Sequence, residues 1–345
     1  MKKSLIALAV LAASGASFAQ SSVTLYGIAD VYLASQKAMG TDLRQTVIGS
    51  GGVSGSRYGF KGTEDLGGGL KANFKLEQGF SLDTGAAGQT DGLFAAKTTA
   101  SFSRYAYVGF SGGFGEVKLG KTGTPYDDVS GASNPVFDSA LSPQNEVWLS
   151  GNYTWNPSNS IYYVSPSMGG FSAAGSYSMG ENKTANYDAG AVYSASVQYA
   201  NGPIAAALAY QVEEATAPTL ASKFTRLNGS YDLGVVKILA GFGRVTGAAA
   251  VGVNGVATSS AQTTEWELGV DYPVSSALTI SGGIARSTDN ATAGDATREG
   301  YGIGANYTLS KRTSVYGGFR EAKTTPAVGA DFKGNLVAVG IKHTF

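Results

Sequence analysis

Cysteine is absent from all 345 residues. That excludes a disulfide scaffold, and it excludes zinc or iron–sulfur sites built on thiolates. Charge is sparse: Asp, Glu, Lys and Arg make up 14% of the chain, against about 25% in ordinary soluble domains. The two signs cancel, with 25 basic and 25 acidic side chains, which leaves no basic footprint for nucleic acid. Long hydrophobic runs are missing too. Beyond the N-terminus nothing reaches the ~18 apolar residues of a membrane helix, so a helical membrane bundle is excluded. What is abundant is glycine, at 49 positions, and tyrosine, at 19, with only 9 prolines. This is a composition of strands and turns.

Met1-Lys2-Lys3 is basic, Leu5 to Ala13 is apolar but too short to span a bilayer, and Ser17-Phe18-Ala19 puts small residues three and one before a cut. The pattern predicts a secretory signal peptide over residues 1–19, cleaved after Ala19. Its removal takes Lys2 and Lys3 and leaves 326 residues with 23 basic against 25 acidic side chains, a net charge of −2. Export permits disulfides, and the chain has none, so something else must hold it together.

The hydropathy period is two almost throughout. In Val23 to Leu33 the odd positions are apolar or small, while Thr24, Tyr26, Asp30 and Tyr32 occupy even ones. Leu70 to Glu77 alternates cleanly, as do Tyr301 to Leu309 and Leu336 to Phe345. Such alternation marks strands with two unlike faces. Seven short separators punctuate them, at 64–69, 111–115, 165–170, 201–203, 232–234, 273–277 and 310–312. Eight long polar ones fall near 37–52, 83–98, 122–146, 180–188, 213–221, 246–262, 288–298 and 324–334. Short and long alternate, and together they leave sixteen strands. No domain linker interrupts residues 20–345, and the low-complexity stretch at 246–262 reads as a loop.

A soluble sandwich or propeller and a membrane barrel could both give this pattern. Alternating short and long connections favour the barrel, with turns on one side and loops on the other. Lys71, Lys75 and Glu77 share one face of a strand, which suits a wet lumen better than a dry core. Tyr26, Tyr231, Tyr272, Tyr307 and Phe345 sit near strand ends, where interfacial rings gather. Closure removes the sheet edges that lipid cannot satisfy. The expected fold is therefore an all-β, sixteen-stranded antiparallel transmembrane β-barrel with short periplasmic turns and long outer loops.

Residues 56–72, Ser-Arg-Tyr-Gly-Phe-Lys-Gly-Thr-Glu-Asp-Leu-Gly-Gly-Gly-Leu-Lys-Ala, resemble the second hairpin of general porins of Gram-negative bacteria, nearest the neisserial and related β-proteobacterial type. Val23 to Gly27, Phe102-Ser103-Arg104 with Val108-Gly109-Phe110, Asn159 to Pro166, Tyr307 to Thr313 and the ending His343-Thr344-Phe345 resemble the same family, in order along the chain. The resemblance implies an outer-membrane homotrimer that passes ions and small hydrophilic solutes, with loop 3 folded into the lumen as a constriction. It also implies contact with outer-membrane lipid and lipopolysaccharide, insertion by the barrel-assembly machinery with Phe345 as the signal, and no cofactor.

The third long connection, Thr122 to Glu146, carries Asp127, Asp128, Asp138 and Glu146 and no Lys or Arg, with Pro125, Pro135 and Pro143 stiffening it. In the family such a loop faces a basic ladder, and the matching wall positions here are Arg57 and Arg104. Lys61, Lys75 and Lys121 are further wall candidates, and Lys71 lies close to a short turn. By alternation Arg57 shares a face with Gly59 and Lys61, and Arg104 one with Ala106 and Val108, opposite Tyr105 and Tyr107. The family often adds an arginine before the Asn-Ser-Ile strand. Here Asn152 to Pro157 has none, and none occurs from 105 to 225, so one rung of the ladder is missing and the expected selectivity is weak, leaning to anions. An enzyme is disfavoured: the one histidine, His343, shares the face of Phe345, away from any lumen serine. A substrate-specific channel would need a ladder of aromatics or a denser basic rail, and the alternation locates neither.

Overall fold

The computed structural model describes residues 22–88, 100–181, 190–215, 221–247, 262–290 and 295–345. The expected signal peptide and most of the connection at 246–262 lie outside the described residues. The alternating stretches form strands: β1 Ser22–Lys37, β2 Arg44–Ser50, β3 Arg57–Gly67, β4 Leu70–Gly79, β5 Tyr105–Gly112, β6 Gly115–Lys121, β7 Ser160–Val164 and β8 Phe171–Ser178. They continue as β9 Val192–Asn201, β10 Ile204–Glu213, β11 Ser222–Asp232, β12 Lys237–Thr246, β13 Gln262–Pro273, β14 Leu278–Asp289, β15 Thr297–Thr308, β16 Thr313–Thr325 and β17 Phe332–Thr344.

All pairings are antiparallel, each strand beside its neighbours in sequence. β17 returns to β1, from Ile28 opposite Thr344 to Lys37 opposite Asn335, and closes the barrel. β2 and β3 are two halves of one wall strand, because β1 pairs with β2 through Val31–Lys37 and with β3 through Ser22–Ile28. Counted that way the wall has the sixteen strands that the separators predict. Two boundaries differ from expectation. The first long connection shrinks from 37–52 because Arg44–Ser50 joins the wall. The third, expected at 122–146, runs from 122 to 159 before β7 begins.

The alternation turns each strand inside out relative to a soluble sheet. β13 buries Thr263, Glu265 and Glu267 and exposes Trp266, Leu268 and Val270. β12 exposes Ile238 and Phe242 and buries Leu239 and Val245. Soluble monomers rarely expose a contiguous apolar patch beyond a few hundred Å², and this band suits hydrocarbon instead. The apolar clusters that are buried lie where the 122–159 segment meets the wall. One joins Val136 and Leu141 to Tyr32, Tyr316 and Leu336. A second joins Tyr126 and Val129 to Ala209, Phe224 and Val245. A third joins Val147 and Trp148 to Ala285 and Ala322.

Candidate functional site

The 122–159 segment is built from short turns. Thr124 caps α1, Pro125–Ser130, by accepting from the Asp127 N–H, and Pro125 sits in its first turn, where a missing N–H costs nothing. A tight turn follows at Val136–Asp138, whose three residues all have positive φ. α2, Gln144–Val147, and a last turn at Leu149–Gly151 complete it. Backbone groups that these turns leave open are taken up by the polar face of the wall. Ser194 accepts from the Tyr126 N–H at 3.0 Å, and Ser281 from the Val136 N–H at 2.8 Å. Glu265 accepts from the N–H groups of Leu149 and Ser150. Arg226 donates to the Ser130 carbonyl and Arg320 to the Ala140 carbonyl. The anchors run from β9 to β16, so one side of the segment is pinned and the other faces β3 to β6.

Between the two sides lies a cavity of about 810 Å³. Its cations are Arg57, Arg104, Lys121, Arg226 and Arg320; its acids are Asp127, Asp138 and Glu146 of the segment. Arg104 Nε stands 2.6 Å from Glu77 Oε1, and its guanidinium lies 4.8 Å from the centre of the Trp155 ring. Glu77 is buried, and also takes Lys75 at 3.2 Å and the Tyr26 hydroxyl at 2.8 Å. Arg57 donates to Ser54 Oγ at 3.0 Å, and Lys121 Nζ to the Asn156 carbonyl at 2.6 Å. Arg226 lies within cation–π reach of Tyr126, at 5.3 Å, and of Trp148, at 5.0 Å. Such contacts hold a guanidinium in place without neutralising it.

Arg57, Arg104, Lys121, Asp127, Asp138 and Glu146 thus line one cavity. Lys61 and Lys75 do not reach this cavity. Lys61 lies 5.1 Å from the centre of the Tyr26 ring, and Lys75 is 3.7 Å from that of Tyr105 and paired with Glu77. Asp128 also points elsewhere, accepting from the Tyr162 hydroxyl on β7. Burial holds its carboxyl above the usual range, partly offset by that hydroxyl and by Lys118. Asp127 accepts from the Tyr153 hydroxyl at 2.6 Å.

Two face assignments change. Arg104 lies before β5, outside the pleat, so the period of two does not apply to it. Tyr105 packs on Trp155 and Lys75 inside the barrel, while Val108 is outside at 55% exposure. Tyr26 is not an interfacial ring either; its hydroxyl reaches inward to Glu77. Tyr231, Tyr272, Tyr307 and Phe345 are exposed, as expected for a rim.

Sequence reasoning missed Arg226 and Arg320. Both lie on the inner face by alternation, Arg226 opposite Leu227 and Arg320 opposite Phe319, so the signal was present. It also missed a row of cations and rings on adjacent strands, where Lys61, Lys75 and Lys118 lie against Tyr26, Tyr105, Tyr107 and Tyr162. At the closing seam, Gly27 and Phe345 exchange two backbone hydrogen bonds, at 3.0 and 3.1 Å. His343 is exposed beside Thr313 Oγ1, at 2.9 Å.

Comparison with known proteins agrees with this architecture. A family model described as Gram-negative porin matches residues 5–327. Outer membrane porin protein 32 of Delftia acidovorans is 37% identical over 248 residues, covering 69% of this chain and 68% of its own length. The major outer membrane protein P.IB of Neisseria gonorrhoeae is 33% identical over 206 residues, covering 58% of this chain and 54% of its own. A solved anion-selective porin from Comamonas acidovorans superposes with a TM-score of 0.78 at 28% identity, covering 94% of this chain and all of that one. With a closed sixteen-strand wall, an apolar exterior and a charged interior, the chain belongs to the Gram-negative porins and is a porin of the outer membrane.

Proposed function

We propose that the chain is a general diffusion pore for ions and small hydrophilic solutes, constricted by the 122–159 segment and leaning to anions. The observation that carries this is the charge around the cavity: five cations against three acids. In a diffusion pore the working parts are width and field. Glu146 is held by Arg320 at 2.6 Å, and Glu77, which lies beside Arg104, is offset by Lys75, so these pairs leave the excess of cations unchanged. The likeness to a porin described as anion-selective points the same way. Arg226 and Arg320 take the place of the rung absent before β7. The expected lipid and lipopolysaccharide contacts, homotrimer, cleavage after Ala19 and delivery by the assembly machinery through Phe345 belong to the same proposal. The test is reversal potential under a salt gradient in a planar bilayer: a zero-current voltage of cation sign refutes the anion lean.

A substrate-specific channel is the second reading, favoured by the row of lysines and tyrosines on β1 and β3 to β7. Liposome swelling with solutes of graded size separates the two. A smooth cutoff supports general diffusion, and one solute that enters out of proportion to its size supports a specific channel.

A further inference from the structure

Between β2 and β3 the wall breaks. On β1 only Ala29 and Asp30 separate the residues paired with Ser50 and with Arg57, while the other strand spends six residues, 51–56, on the same span. The excess exceeds an ordinary bulge, which adds one residue. It leaves the wall on the inner side, since Gly51 through Gly55 line the same cavity as the charged groups.

The lip is fastened from below. Asp30 is fully buried. Its carboxylate accepts from the successive N–H groups of Gly52, Val53 and Ser54, at 3.1, 3.0 and 2.8 Å, and from the Tyr316 hydroxyl. Successive backbone N–H groups converging on one anion form a strong cradle. Ser56 Oγ donates to the Asp30 carbonyl and accepts from the Asp30 N–H, both at 3.0 Å. Glycine is required within it: a Cβ on Gly52 would lie 2.2 Å from the Tyr316 hydroxyl, and Gly51 has φ +79°. The lip then holds two further parts. Its Gly52 carbonyl accepts from the Ala140 N–H of the long segment at 2.7 Å. Its Ser54 hydroxyl accepts from Arg57 at 3.0 Å.

The geometry points to a second constriction element on the wall itself: the 51–55 lip, set by Asp30 as a positioning residue, narrows the cavity that Asp127 also lines and orients Arg57. This rests on the channel reading above and adds to it a wall structure that Asp30 sets and that the long segment meets at Ala140. Without Asp30 the three N–H groups lose their common acceptor, and the lip can fall back toward the wall.

The chain has no cysteine, so Ser54→Cys introduces a single thiol. The full-length protein carrying it is folded into a planar bilayer and treated with thiosulfonates of one size and different charge. Labelling through the open pore should lower single-channel conductance by roughly a fifth to a half, as an obstruction at a narrow point does. Anionic and cationic adducts should move the reversal potential in opposite directions. Ser54→Ala controls for the lost contact to Arg57. In an Asp30→Asn background the same adduct should block less, because an amide turns donors toward donors. Complete labelling by mass with unchanged conductance overturns the proposal, and so does a thiol that reacts only after unfolding. If Asp30→Asn fails to fold, the Ser54→Cys result still decides. A folded protein that gives no conductance at all refutes the channel reading instead.

Discussion

Replacing Arg57 and Lys121 together by glutamine should abolish the anion preference. Around the cavity the charge is five cations against three acids, and this pair of changes reduces it to balance. Neither side chain is the partner of Glu77, whereas removing Arg104 would take one of the partners of that buried carboxylate and mix two effects. A unit charge about 7 Å from a permeant ion in water contributes ~0.6 kcal/mol. Screening at ~0.1 M salt, with a Debye length of ~10 Å, halves it. Two net charges then favour an anion over a cation by about 1.2 kcal/mol, a permeability ratio of roughly eight. At ~1 M the Debye length of ~3 Å reduces the ratio to about 1.5. The assay is reversal potential under a salt gradient at low and at high mean concentration. Wild type should show a ratio that collapses with salt, and the double variant a ratio near unity throughout. A double variant as anion-selective as wild type at low salt refutes the placement of these charges at the constriction.

Three other outcomes follow from the same geometry. Gly52→Ala should destabilise the barrel by about 1–3 kcal/mol through overpacking against Tyr316 and Tyr32, read from urea-dependent gel mobility, whereas Gly113→Ala, with open space around it, should not. Glu265→Ala removes the acceptor of the Leu149 and Ser150 N–H groups; it should loosen the segment by about 1–3 kcal/mol, seen as noisier open-channel current and new protease cuts within 122–159, and currents as quiet as wild type would count against it. Asp128 has its pKa raised by burial, so its charge opposes docking of α1. Docking should be strongest below the ordinary carboxylate range and weaken as pH rises through the raised value; Asp128→Asn should flatten that dependence in current noise, and an unchanged pH profile would rule it out.

Much of the fold was legible because lipid enforces the period of two. Trp266 and Leu268 must face out and Glu265 and Glu267 in, so the sequence of β13 states its own orientation. The seven turns and eight loops likewise fix the strand number. The break at 51–56 was not legible, because Gly51 to Ser56 carries turn residues and reads as a loop; only pairing with β1 reveals that Arg44–Ser50 is wall. Alternation failed at Arg104 for the same reason, since that residue lies off the pleat. Periodicity gives the face of a residue and never its height along the barrel. Lys61 and Lys75 are inside as expected but not at the cavity, while Arg226 and Arg320 are. Their position depends on where the long segment touches the wall, which is a matter of tertiary contact.

The seam between β1 and β17 has a kinetic meaning. Ile28 pairs with Thr344, and Gly27 with Phe345, so the ladder that completes the wall joins residues from opposite ends of the barrel sequence. Most other ladders join neighbours in sequence and can form as local hairpins; this one pays the loop-closure entropy of the intervening chain in one step. Until it forms, the first and last strands both present open backbone groups that hydrocarbon cannot satisfy. Assembly should therefore be limited by circularisation, and a shortened seam should slow insertion more than it weakens the finished barrel.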